Sequence, residues 1–165
     1  MPPEALRRRA GGGTARAAAA LPALPPDPGD AVTAAHVLHA DGAARGNPGP
    51  AAIGAVLFAP GRLEPVAVVS EAIGRATNNE AEYRALLAGL EAARSAGVTD
   101  LVVRLDSELL VRQATGQYRV KAPGLKPLFE QLRALLSGFG SVRFEHVPRE
   151  RNALADDLAN AALDR

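Results

Sequence analysis

The order of nine apolar segments along residues 36–163 constrains the fold of this chain more than any other feature of its sequence. Three strand-like segments come first, and helix-like segments are interleaved with the two remaining strand-like segments from residue 79 onwards. The predicted strands are His36–Asp41, Ala51–Phe58, Pro65–Ile73, Leu101–Leu105 and Val142–Val147. The predicted helices are Asn79–Ala96, Ser107–Ala114, Gly124–Ser137 and Asn152–Leu163. This order predicts an α/β domain in which an antiparallel meander precedes the crossover units.

The start of the chain differs in composition from the rest. Residues 1–30 contain six Pro, four Gly and eight Ala, and Pro fits neither a helix interior nor a central strand. They are therefore predicted to form a flexible tail, and residues 31–165 to form one catalytic domain. A secretory signal is the alternative, because three Arg residues at 7–9 precede an apolar stretch, but that stretch is short and interrupted by Pro.

Composition also narrows the chemistry that the chain can perform. It contains no Cys and only three His, which excludes disulfides, thiolate metal sites and thiol nucleophiles and leaves catalysis to carboxylates. Residues 31–165 hold 15 basic and 15 acidic residues, so net charge gives no support for a nucleic-acid partner unless the cations cluster. No apolar run reaches the roughly 18 residues of a membrane span. We therefore expect a cytoplasmic protein with no membrane partner.

Two acidic residues stand at the ends of predicted strands. Asp41 ends the first strand and Asp106 follows the fourth, and α/β sheets bind ligands outside the carboxyl ends of their strands. Each residue is also explained as a turn former or a helix cap. Ser107 already provides a cap after the fourth strand, which weakens that second explanation for Asp106.

Two predicted helices begin with a pair of acids. Glu80 and Glu82 both suit the helix dipole, but the helical phase places Glu82 near the side that faces the sheet and Glu80 on a more solvated flank. In the closing helix, one of Asp156 and Asp157 must likewise lie near the packed face. A carboxylate in such a position needs a compensating cation or hydrogen bonds.

Four sequence blocks carry a resemblance to a known family. They are DGAARGNPGP at 41–50, TNNEAEY at 77–83, LDS at 105–107 and VPRERNALADDLAN at 147–160. Together and in this order they resemble the type 1 ribonuclease H family, over a stretch from about His36 to Leu163. The resemblance implies a ribonuclease-H-like fold, which is a five-stranded mixed sheet of strand order 3-2-1-4-5 flanked by helices. It also implies an endonuclease that hydrolyses the RNA strand of RNA–DNA hybrids and leaves 5′-phosphate and 3′-hydroxyl ends.

The same resemblance assigns catalytic acids, which are also the family's metal ligands. Carried over position by position, they are Asp41, Glu82, Asp106 and Asp156. The expected cofactors are two Mg²⁺ ions, for which Mn²⁺ could substitute, because Mg²⁺ prefers hard oxygen ligands. Asp41 would bridge both ions, Asp156 would hold the ion that activates water, and the other two acids would hold the ion nearer the leaving group. The expected partner is the hybrid duplex, and we expect the protein to be a monomer.

The chain departs from the family pattern in two places. Many members carry a catalytic His in the loop after the last strand, where this chain has none; Arg149 resembles the Arg that compact members use there, and His146 is interpreted as a strand-end residue. An Arg would steer phosphate or stabilise charge rather than act as a base. The basic, Trp-containing handle is also missing, because only residues 115–123, with Arg119 and Lys121, separate two helices. We therefore expect the compact form of the family and weak, salt-sensitive hybrid binding.

Polar groups near the acids are expected to contact the substrate. The predicted substrate-binding residues are Gly42, Asn47, Thr77, Asn78 and Asn79. Backbone amides of the turn at 42–49 could meet the 2′-hydroxyl groups of RNA, the Asn side chains are candidate contacts, and the Thr is a candidate phosphate ligand. Turn formation and capping of the helix at 79 explain the Asn and Thr residues equally well. The glycines at 42, 46 and 49 are most simply explained by backbone conformations closed to other residues.

Two other functions share parts of this pattern. An exonuclease or junction resolvase of the wider ribonuclease-H-like group shares mainly the acids, and not the TNN-x-x-E and GNPGP blocks of this chain. A catalytically weak or degenerate member that only binds nucleic acid would be expected to have lost at least one acid. All four acids are present here, so the endonuclease is the preferred prediction.

Overall fold

The computed structural model describes residues 35–165 and contains all nine predicted elements. The strands are β1 His36–Ala44, β2 Gly49–Phe58, β3 Pro65–Ala76, β4 Asp100–Leu105 and β5 Ser141–His146. The helices are α1 Asn78–Ser95, α2 Glu108–Ala114, α3 Lys126–Leu136 and α4 Ala153–Asp164, and a short 3₁₀ helix, Arg149–Asn152, precedes α4. The predicted tail, residues 1–30, lies outside the described residues, as do residues 31–34 of the predicted domain. Among the helices of residues 35–165, none combines the length and the apolarity that a bilayer span needs.

The five strands form one mixed sheet in the order β3-β2-β1-β4-β5. β2 runs antiparallel to β1 and β3, whereas β4 runs parallel to β1 and β5. The predicted α/β class and strand order are therefore confirmed. β4 stays paired with β1 only as far as His39 and Arg104. Beyond that pair β4 leaves β1, while β1 continues alongside β2.

Helices cover both faces of the sheet, and strand alternation decides which side chains they meet. On one face, Leu38 of β1 belongs to the larger core, to which α1, α2 and α3 contribute Leu86, Leu110 and Leu132. On the other face, α4 crosses β2 and comes so close to Gly54 that a Cβ atom there would clash with the α4 backbone. The carboxylate-bearing half of β1 thus lies between two helical layers.

β1 is three residues longer than predicted. Residues 42–44 continue the antiparallel pairing with β2, so Asp41 lies inside the strand rather than at its end. The predicted turn is confined to residues 45–48, where the Arg45 backbone N–H donates to the Pro50 carbonyl over 2.8 Å. Cross-strand pairing with small β2 residues stabilises the extension, and the local run of Gly and Pro gives no sign of it.

Only one glycine of that turn has the backbone conformation expected from the sequence. Gly46 has a φ of 113°, whereas Gly42 and Gly49 are absent from the positive-φ glycines of the described chain. A Cβ atom at Gly42 would clash with the backbone of Ala81, and one at Gly49 would clash with the carbonyl of Arg45. The conformational explanation is therefore correct for Gly46 and wrong for the other two, which are required by close backbone approach.

Side-chain caps fix the starts of the two helices that follow β3 and β4. Thr77 caps α1: its Oγ1 accepts from the Glu80 N–H (3.1 Å), and Glu80 Oε1 accepts from the Thr77 N–H (2.8 Å). This reciprocal pair is a capping box. Ser107 caps α2, as predicted, by accepting from the Leu110 N–H over 3.2 Å. Capping of α1 therefore explains Thr77 but not Asn78 or Asn79.

The segment between α2 and α3 forms neither a helix nor a strand, as the missing handle predicts. Val120 and Leu125 are buried and anchor residues 115–125 to the core. Arg119 and Lys121, on either side of Val120, are exposed. The side chains of Arg119 and Lys121 are therefore exposed to solvent, while Val120 and Leu125 hold the backbone of the segment against the core.

Candidate active site

The structure brings together the four acids that the sequence singled out, each from a different element. Asp41 lies inside β1 and is 9% exposed, and Glu82 lies one turn into α1. Asp106 directly follows β4, and Asp156 lies in the first turn of α4. They meet beyond the last paired residues of β1 and β4, His39 and Arg104. Four different elements of the chain therefore bring the four carboxyl groups together.

Burial and mutual repulsion raise the pKa values of three of these acids, Asp41, Glu82 and Asp106. The pKa of Asp41 rises to about 9, first because the group is buried, then through the charge of Asp106, a hydrogen bond to the Asp156 carboxyl, and the charges of Asp156 and Glu82. The pKa of Glu82 rises to about 7, first through burial and also through the charge of Asp106, while a hydrogen bond from the Ser107 hydroxyl lowers it. The carboxyl groups are thus close enough to oppose one another's ionisation.

Asp106 has partners that favour its charged form. Burial raises its pKa, but a hydrogen bond from the Asn152 side chain and the positive charge of Arg149 both lower it. Asp156 acts in the opposite direction, as a like charge. Asn152 and Arg149 oppose the effect of burial, but the pKa of Asp106 still lies above its ordinary value.

The donor atoms of the cluster suit a hard divalent cation. All four side chains offer carboxylate oxygens, which Mg²⁺ prefers over nitrogen or sulfur. Within residues 35–165, no group of three or more His, Asp and Glu side chains is already arranged around a single ion position. Mg²⁺ keeps several water ligands and is usually held by one or two carboxylates together with substrate phosphates. An open set of carboxylates, rather than a closed cage, is what such an ion needs.

The neighbouring acids have different surroundings. Glu80 closes the capping box at Thr77, so its carboxylate is engaged at the start of α1. Asp157 is exposed, whereas Asp156 is half-buried and accepts from the Asn160 side chain (3.3 Å). The structure therefore distinguishes Glu82 from Glu80, as the helical phase predicted. It also distinguishes Asp156 from Asp157, a choice that the family resemblance implied and the helical phase left open.

The predicted substrate-binding residues form one rim beside the acids. Asn47 Oδ1 accepts from the Asn78 N–H over 3.0 Å and so fastens the β1–β2 turn to the start of α1. Thr77 is engaged in the capping box, whereas the side chains of Asn78 and Asn79 are exposed. Gly42 lies within β1 beneath α1, where its smallness serves packing. Asn78 and Asn79 thus keep side chains available for a ligand.

Arg149 and His146 have different relations to the cluster. Arg149 lies in the 3₁₀ helix, and its charge lowers the pKa of Asp106. His146 ends β5, and its Nε2 lies 3.3 Å from the backbone carbonyl oxygen of Asp106. The charge of His146 acts on Glu108, which is fully exposed. Among these two, Arg149 is the cation that acts on a carboxyl group of the cluster.

Sequence reasoning missed two uncharged residues that contact the acids. Ser107 was interpreted only as a helix cap, although its hydroxyl also donates to Glu82. Asn152 was interpreted only as the start of a helix, although it is 1% exposed and hydrogen-bonded to Asp106. Both residues follow ordinary capping patterns, so the sequence contains no signal that separates these second contacts from a cap.

Comparisons with known proteins identify the family to which the chain is similar. A family model described as "Reverse transcriptase-like" matches residues 39–162. A bifunctional protein of Mycobacterium tuberculosis is 50% identical over 128 residues, which are 78% of this chain and 35% of that protein. The chain thus spans about a third of the length of the curated relatives that it matches most strongly.

Solved structures give the same result. The N-terminal RNase H domain of the Mycobacterium tuberculosis protein has a TM-score of 0.76 at 50% identity, covering 78% of this chain and 98% of that one. RNase H1 of Halobacterium salinarum has a TM-score of 0.75 at 49% identity, covering 78% and 97%. LC11-RNase H1, solved in complex with an RNA/DNA hybrid, has a TM-score of 0.74 at 42% identity, covering 78% and 96%. By sequence and by structure, the chain belongs to the type 1 ribonuclease H family.

Proposed function

We propose that residues 31–165 form a catalytic domain that hydrolyses the RNA strand of RNA–DNA hybrids as an endonuclease, leaving 5′-phosphate and 3′-hydroxyl ends. The observation that carries this proposal is the meeting of four carboxyl groups from β1, α1, β4 and α4. A relative with 42% identity has been solved with such a hybrid bound. Residues 1–30 are not part of the catalytic domain in this proposal.

Two Mg²⁺ ions, or Mn²⁺ in their place, are the proposed cofactors. Asp41 would bridge both ions, Asp156 would hold the ion on the water side, and Glu82 and Asp106 would hold the ion on the leaving-group side. When bound, such a pair of ions activates the attacking water and stabilises the leaving 3′-oxygen during in-line displacement. Water would be the nucleophile, so no side chain of the cluster needs to attack the phosphate.

The raised pKa of Asp41 describes what the protein itself does to prepare this site. Without cations, burial and three neighbouring acids favour a protonated Asp41 at neutral pH. A divalent cation relieves the repulsion among the carboxylates and releases that proton. Cation binding therefore competes with the proton on Asp41, so the apparent metal affinity should rise with pH up to about 9.

Arg149 is proposed to act in catalysis beside Asp106. An Arg stays protonated at every pH at which the protein is folded, so it cannot accept a proton. It can hold a phosphate oxygen or stabilise negative charge that develops near the leaving group. His146, which contacts backbone rather than a carboxylate, is given no catalytic role.

The rim made by the β1–β2 turn and the start of α1 is proposed to read the RNA strand. The exposed amides of Asn78 and Asn79 can donate to and accept from sugar hydroxyls and base edges. The 2′-hydroxyl group is what distinguishes RNA from DNA at such a surface. Asn47 and Thr77 would shape this rim through their contacts with α1. We further propose that the protein acts as a cytoplasmic monomer.

One assay tests the proposed function. A hybrid whose RNA strand is labelled internally and blocked at both ends is compared with double-stranded RNA, double-stranded DNA and single strands, each in Mg²⁺, Mn²⁺ or EDTA. We expect cleavage of the hybrid RNA alone, in either metal, and none in EDTA. Asp41→Asn should abolish cleavage, while Asp157→Asn, which alters an exposed neighbouring acid, should not.

Other results of that assay would contradict the proposal. Degradation of the same hybrid only when its ends are left unblocked would indicate an exonuclease, and cleavage of DNA substrates alone would indicate a different nuclease of the same fold. Hybrid binding without cleavage in either metal would indicate a binding module. Near-full activity of Asp41→Asn would remove that residue from the catalytic set.

A further inference from the structure

Asn152 is a buried amide at the point where the 3₁₀ helix passes into α4. Its side chain is 1% exposed. A buried amide must satisfy its hydrogen-bonding groups within the protein or lose free energy on folding. The hydrogen-bond partners of Asn152 therefore indicate its structural role.

These partners lie on β1 and directly after β4. The Asn152 Nδ2 donates to the backbone carbonyl of Ala40 over 2.9 Å, and its Oδ1 lies 3.2 Å from Nδ1 of His39. The same amide lies near enough to the Asp106 carboxyl group to lower the pKa of that group. One donor and the acceptor are thus engaged on β1, and the second Nδ2 hydrogen is left for Asp106.

Each of these contacts is close to one of the proposed metal-binding acids. Ala40 immediately precedes Asp41 in β1, and Asp106 is itself one of the acids. Asn152 stands four residues before Asp156, which is about one helical turn along the chain. One side chain therefore links the three acids that come from β1, β4 and α4, and it does so without adding charge.

The Ala40 carbonyl, which can only accept, and His39 together fix which way the amide points. Asn152 Oδ1 can accept from His39 only when Nδ1 of the ring carries the hydrogen, and the two Nδ2 hydrogens then face acceptors. The opposite orientation would place Oδ1 against the Ala40 carbonyl and two donors against each other. The ring is buried, with 7% exposure, and meets Phe58 edge-on at a centroid distance of 6.3 Å.

We propose that Asn152 is a positioning residue, oriented by His39, that holds Asp106 and the first turn of α4 against β1 so that these acids can share divalent cations with Asp41. This role rests on the proposed function, because it concerns the same metal site. An Asp at residue 152 would add a negative charge beside Asp106, and an apolar residue would leave the Asp106 carboxylate without its amide donor.

The proposal is tested with Asn152→Leu and Asn152→Asp. Asn152→Leu keeps most of the side-chain volume and removes every hydrogen bond, whereas Asn152→Asp keeps the acceptor for His39 and loses the donors. Gln113→Leu is the matched control, because Gln113 is also a buried amide, 6% exposed, but accepts from the Tyr83 hydroxyl (2.6 Å) on the face covered by α1 and α2. Each variant is measured for kcat and KM on the hybrid, for Mn²⁺ binding by calorimetry without substrate, and for thermal unfolding in EDTA.

We expect both Asn152 variants to lose about 10- to 100-fold in kcat and in Mn²⁺ affinity, as residues that orient metal ligands typically do, with little change in KM. Gln113→Leu should lower the unfolding temperature and leave Mn²⁺ affinity unchanged. If the Asn152 variants bind Mn²⁺ and turn over like the wild type, the inference is wrong. The same holds if their losses match those of Gln113→Leu, which would indicate a purely structural role.

His39 supplies a second and independent test. His39→Asn places an amide donor near the position of Nδ1, and His39→Leu removes the donor. We expect His39→Asn to retain Mn²⁺ affinity and His39→Leu to lose part of it; equal behaviour of the two would refute the orienting role. A wild-type protein that neither binds Mn²⁺ nor cleaves hybrid would contradict the proposed function and this role together, whereas an active wild type with unaffected Asn152 variants would contradict this role alone.

Discussion

Gly42 of β1 lies directly beneath the start of α1, so close that a Cβ atom at residue 42 would overlap the backbone carbonyl of Ala81 and the amide nitrogen of Glu82. The backbones of β1 and α1 are therefore in direct contact between Gly42 and residues 81–82. This contact sets the distance between Asp41, which precedes Gly42 in the chain, and Glu82. The distance between Asp41 and Glu82 thus depends on residue 42 having no side chain.

Gly42→Ala is predicted to impair both folding and catalysis. Forcing a methyl group into a backbone contact costs on the order of 1–3 kcal/mol of stability, and the helix must move away from β1 to make room. We expect a lower free energy of unfolding in urea and a lower kcat on the hybrid. Gly138→Ala is the control, because a Cβ atom there would lie 3.4 Å from the Leu135 carbonyl oxygen, an ordinary contact. Wild-type behaviour of Gly42→Ala would show that α1 is free to shift.

Asp41→Asn is predicted to make the metal-free protein more stable at neutral and alkaline pH. The folded pKa of Asp41, about 9, lies above its ordinary value of 3.8. The unfolded chain therefore gives up this proton first, and wild-type stability falls as the pH rises from about 4 to about 9, by at most about 1.4 kcal/mol per pH unit. Replacing the acid by a neutral amide removes this dependence, although the part due to Glu82 remains up to about pH 7.

Thermal unfolding in EDTA at several pH values measures this effect. The unfolding temperature of Asp41→Asn should exceed that of the wild type at pH 8, and the difference should shrink at pH 5. Adding Mn²⁺ should raise the unfolding temperature of the wild type and have much less effect on the variant. If the stability of the wild-type protein in EDTA does not change between pH 5 and pH 8, the pKa of Asp41 is not raised in the folded protein and the prediction is wrong.

Arg149→Ala is predicted to lower turnover more than His146→Ala. The Arg149 charge acts on Asp106, whereas His146 contacts a backbone carbonyl and acts on the exposed Glu108. Removing a group that stabilises developing charge commonly costs on the order of tenfold or more in kcat. Arg149→Lys should restore only part of the loss, because an ammonium group lacks the planar fork of donors. The reverse ranking of the two Ala variants in steady-state assays would assign the catalytic role to His146.

Hybrid binding is predicted to depend on salt through the segment between α2 and α3. Arg119 and Lys121 are exposed there, and a Cβ atom at Gly124 of the same segment would lie 3.3 Å from Glu80 Oε2 at the start of α1. Each cation that neutralises a phosphate contributes about 0.9 to the slope of log affinity against log salt. Arg119→Ala and Lys121→Ala should each reduce this slope by about one.

Fluorescence anisotropy in EDTA, where no cleavage is expected, measures these slopes. Arg62→Ala is the matched control, because Arg62 is an exposed cation in the connection that follows β2, at the opposite end of that strand from the cluster. Unchanged slopes for Arg119→Ala and Lys121→Ala would mean that the hybrid passes elsewhere on the surface.

Local patterns predicted the order of strands and helices along the chain, whereas the strand order of the sheet and the choice of the four acids came from the family resemblance. Alternating apolar segments define the elements, and helical phase separates Glu82 from Glu80. What could not be predicted depends on contacts between distant segments. The continuation of β1 past Asp41 depends on pairing with β2, and the second role of Asn152 depends on its distance from His39 across 113 residues.

The glycine at residue 42 illustrates the same limit. Left-handed backbone conformation and close backbone approach both select glycine, and a single sequence does not distinguish them. Gly46 belongs to the first class, with a φ of 113°, and Gly42 to the second. Only the position of α1 relative to β1, which the local sequence does not specify, decides between them.

The close approach of α4 to Gly54 has a consequence for how this domain tolerates mutation. Gly54 is the cross-strand partner of Asp41, and a Cβ atom there would clash with the Ala155 carbonyl, one residue before Asp156. We expect exchange of the acids for neutral isosteres to preserve folding, whereas a side chain at Gly42 or Gly54 would clash with a helix backbone. In a random mutant library sorted first for folding and then for cleavage, variants of the acids should pass the first selection and fail the second. Variants at Gly42 and Gly54 should already be depleted by the first.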